Sequence, residues 1–62
     1  MTKYHQAAQA NIDKHAGDVI HGDMDEAEMM EELFTLAFDG AHDAGATPEM
    51  ATAIALELSG QG

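Results

Sequence analysis

The chain of 62 residues has no cysteine, no arginine, one proline and one serine. The missing cysteines exclude disulfides, thiolate metal ligation and thiol catalysis together. With Ser59 as the lone serine, in a terminal tail, a nucleophilic triad has no credible member. No apolar run approaches the length of a membrane span, about 20 residues. Met1–Gln6 lacks the basic and then apolar order of a secretory leader. A cytoplasmic protein is the expectation. No glycine-rich phosphate loop occurs, and both lysines, Lys3 and Lys14, fall in the first helical segment outside any such motif. Acid and base catalysis needs a pocket that separates the pKa values of two groups, and so short a chain has little interior in which to make one. Neither enzymatic activity nor a cofactor is expected.

What the chain has in excess is negative charge. Twelve Asp and Glu against two Lys give a net charge of −10. So dense a field disfavours direct binding to nucleic acid or to an anionic membrane and favours basic surfaces or cations. Solubility, or adaptation to a salty interior, is the competing explanation of the same acidity.

The pattern predicts an all-α protein, a compact three-helix bundle in one domain over residues 1–62. A chain of this length buries only about 60% of the surface its unfolded form exposes, so a second domain has no room. The first helix is expected over about 2–20, with Tyr4, Ala8, Ile12, Ala16, Val19 and Ile20 on one face and a weak point at Gly17. Asp23-Met24-Asp25-Glu26 opens a second helix, about 24–44, through an aspartate cap followed three residues later by a glutamate. Its apolar stripe is Ala27, Met30, Leu33, Phe34, Ala37, Phe38 and Ala41. It either stops at Asp39 or continues to Ala44 and uses Gly45 as its cap. Thr47-Pro48-Glu49 starts a third helix, about 48–59, whose stripe is Met50, Ile54 and Leu58 with Ala51 and Ala55 beside it. Short connections make neighbours antiparallel. The larger apolar residues available for a core are Tyr4, Ile12, Val19, Ile20, Met30, Leu33, Phe34, Phe38, Met50, Ile54 and Leu58. They are few, so homodimerisation is one way to complete the bundle.

On a helical wheel Asp25, Glu28, Glu32, Asp39 and Asp43 fall within a sector about 60° wide, a carboxylate row that extends about 27 Å if the helix survives Gly40. Like charges at these spacings repel by a few tenths of a kcal/mol per pair, and no basic neighbour in the helix relieves them. Met29 and Leu36, seven apart, fall on this charged side, and Leu56 is similarly placed on the third helix. Apolar side chains within a charged face suit an interface, either with a foreign partner steered by charge or with a second copy.

Asp25, Glu28, Met29, Glu32, Leu36, Asp39 and Asp43 are therefore the candidate partner-binding residues. The expected function is that of a non-catalytic protein–protein interaction module whose acidic face engages a basic site on a larger protein as inhibitor or adaptor. That site is a nucleic-acid-binding channel if the row imitates DNA or RNA. A small accessory inhibitor from a phage or mobile element would have this character. The alternative is a homo-oligomeric assembly protein whose misplaced apolar residues face another copy. His42 with Asp39 and Asp43 offers metal-ligating types at helical spacing, but no second histidine joins them and no metal site is expected. His21–Asp25 lacks the ligand ladder of a calcium loop. His5 falls on the apolar side of its helix, where a hydrogen-bonded packing role is expected.

Overall fold

The structure, a computed structural model, describes residues 2–60. Met1 and the end of the expected tail, Gln61 and Gly62, lie outside the described residues. Three helices follow one another, α1 (Lys3–Val19), α2 (Glu26–Asp43) and α3 (Pro48–Leu58), and pack as a three-helix bundle.

Each helix starts on a side-chain cap. Thr2 Oγ1 accepts from the His5 amide at 3.2 Å, Asp25 Oδ1 from the Glu28 amide at 2.8 Å, and Thr47 Oγ1 from the Met50 amide at 3.2 Å. These bonds satisfy amides that the first turn leaves without an intrahelical partner. Of the two aspartates before α2, Asp25 is the cap, so the helix begins at Glu26, two residues later than expected. Gly17 does not break α1, which continues to Val19 and closes with the Ile20 amide bonded to Ala16 O at 2.8 Å.

Likewise α2 runs through Gly40 without a break and ends in a Schellman arrangement. The Ala46 amide bonds Ala41 O at 3.1 Å and the Gly45 amide bonds His42 O at 3.0 Å. Gly45 takes a positive φ of 109°, as this reversal requires, and the flanking Ala41 and Ala46 are both buried. Ser59 is a buried helix cap, not the tail residue expected, and its hydroxyl donates to Leu56 O at 3.3 Å.

All the core residues but Ala46 lie on or beside the expected apolar stripes, but the larger side chains expected to fill the core mostly do not. The buried members of the core are Ala8, Ile12, Ala37, Ala41, Ala46, Ala51, Ile54 and Ala55, six of the eight being alanine. Tyr4, Val19, Ile20, Met30, Leu33, Phe34, Phe38 and Leu58 are only half-buried, Ala27 is exposed, and Met50 is 43% exposed. The cause is the closeness of the α1–α2 crossing. A Cβ on Gly40 would lie 2.7 Å from Ala7 O and 2.8 Å from Ala8 Cα, so the two backbones nearly touch there. Where small residues let backbones meet, no volume remains between them for leucine or phenylalanine, and the larger side chains are displaced to the margins.

This core lies at one end of the molecule. The buried residues of α1 are Ala8 and Ile12, those of α2 are Ala37, Gly40 and Ala41, and the remainder of both helices holds none. The rise of an α-helix gives α3 a length of about 16 Å and α2 about 27 Å. The last turn of α3 is tied to the first turn of α1, where His5 Nε2–H donates to Glu57 Oε2 at 3.0 Å. In the neutral imidazole Nδ1 then accepts from the Thr2 hydroxyl at 2.9 Å. His5 thus has the hydrogen-bonded packing role expected of it. Away from this end, the second half of α1 and the first half of α2 continue as a pair.

Candidate functional site

The carboxylate row stands on one unbroken helix with its cap, from Asp25 to Asp43, but its members are not equivalent. Asp25 has its carboxylate turned onto the Glu28 amide. Glu28, Asp39 and Asp43 are exposed, and Glu32 is half-buried. Among the described residues the one contact between a basic side chain and a carboxylate is the His5–Glu57 hydrogen bond, so no lysine neutralises a carboxylate of α2. Lys3 instead lies over the Tyr4 ring at 5.3 Å.

The two apolar residues expected on the charged face are placed differently. Leu36 packs against the core cluster and Met29 is half-buried, so neither projects as a bare contact point. Around Leu36 the flank of α2 is covered by α1, a neighbour the wheel does not contain. Leu56 on α3 is also half-buried.

Between α1 and α2 runs an open groove of about 510 Å³ lined by Asn11, His15 and Val19 from α1 and by Leu36, Asp39 and Asp43 from α2. Asn11 anchors it, since its Nδ2 donates to Leu36 O at 2.8 Å and fixes the register of the two helices. Leu36 and Val19 supply apolar surface. Asp39 and Asp43, four residues apart and so neighbours on the helix, supply two carboxylates. A lysine or arginine stem could lie on the apolar part with its cationic head at the acids.

Three of the seven predicted residues, Leu36, Asp39 and Asp43, are brought together here. Asp25, Glu28, Met29 and Glu32 do not line this groove. Sequence reasoning missed Asn11, His15 and Val19. The available signal was the complementarity of small residues, Ala7 and Ala8 against Gly40, which sets the pairing of the helices.

His42 stacks on Phe38, with centroids 5.8 Å apart and planes 9° from parallel, and Phe38 stacks on Phe34 at 6.3 Å. The histidine thus continues an aromatic ladder along α2. Among the described residues no group of three or more His, Asp or Glu is placed to hold a metal ion. No helix among them is long and apolar enough to cross a membrane.

No family model matches the chain, and neither a curated protein nor a solved structure matches it.

Proposed function

We propose that the protein is a non-catalytic, cytoplasmic interaction module that binds a basic site on a larger protein through the α1-facing flank of α2 and acts there as an inhibitor or adaptor. The observation that carries this reading is the groove whose lining combines Asp39 and Asp43 with Leu36, Val19 and Asn11, with no lysine of the described chain paired to the two acids. Glu28 extends the same negative flank toward the start of the helix, and Asp25 adds its charge while serving as cap. Net charge −10 steers a basic partner toward the protein, while the apolar groove residues give the contact an attraction that salt does not screen. A nucleic-acid-binding channel is one basic site of this kind.

The test is capture from lysate by the tagged protein at low salt and at about 0.5 M salt, where the Debye length falls to a few ångströms. It is run beside the double variant Asp39→Lys/Asp43→Lys. A partner held by wild type and lost by the variant, with helicity unchanged, supports the reading. Equal capture by both proteins removes it.

The homo-oligomer is the second reading, and the half-buried state of the larger apolar side chains is what favours it. Sedimentation at micromolar concentration separates the two, because a strictly monomeric, cooperatively folded species ends the assembly reading.

A further inference from the structure

A second surface lies on the other side of α2, turned about the helix by roughly 150° from the carboxylate row. Ala27, Met30, Glu31 and Phe34 line an open groove of about 460 Å³ there. Its origin is architectural. The core is confined to the end of the bundle that α3 serves, and along the first half of α2 no residue is buried. Met30 and Phe34 therefore belong to the apolar stripe that three-helix packing would cover, but both are left half-buried, with Ala27 exposed beside them.

All four lining residues stand on one face of α2 at helical spacing, and a helix fits such a face best, because an apolar stripe at helical spacing is complementary to another such stripe. Charge selects among helices. The acid lining the groove is Glu31, and no basic side chain lines it. A second copy of the chain in a two-fold pairing through this surface would bring Glu31 toward its own counterpart, and each copy carries −10. A helix whose apolar stripe is flanked by lysine or arginine meets neither penalty, and its cations face Glu31.

We propose that the groove formed by Ala27, Met30, Glu31 and Phe34 is a docking site for one amphipathic, basic helix of another protein. The site is distinct from the Asp39/Asp43 groove and does not depend on it. With both in use, α2 would be a two-sided connector: the acidic flank takes a basic surface, and the apolar flank takes a helix.

The probe is a synthetic peptide of about 14 residues with leucine at helical i, i+3, i+4 and i+7 positions and lysine between them. It is compared with a scrambled peptide of the same composition that has no apolar face. Methyl NMR is read at Ala27 and Met30, and affinity is measured at physiological salt. The amphipathic peptide is expected to shift both methyl signals. Its affinity should fall at least about tenfold on Ala27→Arg, with helicity retained. Ala27 is exposed, so the substitution fills the groove and neutralises its charge without entering the core. The variant Asp39→Asn/Asp43→Asn, on the other flank, should leave those methyl shifts in place, which separates this site from the acidic groove.

Equal binding of the scrambled peptide, or equal affinity of the Ala27→Arg protein, would show attraction by net charge alone and overturn the proposal. A concentration-dependent dimer dissolved by Ala27→Arg would overturn it too, by giving the groove to a second copy.

Discussion

At Gly40 an added Cβ would meet Ala7 O at 2.7 Å, Ala8 Cα at 2.8 Å and Asn11 Cβ at 2.8 Å, whereas at Gly17 it would meet nothing within 4 Å. Both glycines are helical, so alanine gains about 1 kcal/mol of helix propensity at either. At Gly17 nothing opposes that gain, and Gly17→Ala is expected to stabilise by about 0.5–1 kcal/mol. At Gly40 two of the three obstacles are backbone, which cannot rotate away, so the helices must separate. Overpacking of this kind costs about 1–3 kcal/mol and exceeds the propensity gain. Gly40→Ala should therefore lower the melting temperature and Gly17→Ala raise it, by about 4–8 °C per kcal/mol in a chain of this size. Thermal unfolding of the two variants checks both signs, and a stabilised Gly40→Ala would contradict the close crossing.

Among the elements, the start of α2 shows how a residue can serve fold and surface together. Asp25 belongs to the carboxylate row but caps the Glu28 amide. Asp25→Ala is expected to cost about 1 kcal/mol of stability, while Asp25→Asn, an equally good cap, should cost almost nothing although it removes the same charge. Urea denaturation of the pair reads this directly, and equal losses would mean that charge, not capping, is what Asp25 contributes. The start of the third helix was legible because Thr47-Pro48-Glu49 combines a cap oxygen, a fixed φ and an acid within one turn, and all are local properties. The start of α2 was less so, because Asp23 and Asp25 each have a glutamate three residues on and meet the same capping rule. The candidate site was legible only on its α2 side. Its α1 wall, Asn11, His15 and Val19, depends on helix register, which Asn11 and Gly40 set through contacts remote in sequence.

For the molecule as a whole, the relevant length is its size against the range of its own field. The described structure measures 33 × 21 × 17 Å. The Debye length is about 30 Å at 0.01 M salt, so at low salt most carboxylates repel one another across the molecule. Among the described residues no lysine is paired with a carboxylate, so little of that repulsion is compensated. Raising sodium chloride from about 0.02 M to 0.5 M is therefore expected to raise the melting temperature by several degrees, in contrast to a protein held by salt bridges. A flat or falling melting temperature would show that the acidic side chains are already matched within the fold.

Residue order alone determined the number of helices, their approximate limits and the row of carboxylates on α2, because caps, helix breakers and three-and-four spacing act over one or two turns. It did not determine which members of the apolar stripes are fully buried. The wheel gives the direction in which Phe34 or Met30 leaves the axis, but not how near the neighbouring backbone comes. That distance is set where Gly40 meets Ala7 and Ala8, and by a third helix too short to cover all of α2. The same two tertiary facts give alanine the interior and leave the larger side chains beside the grooves.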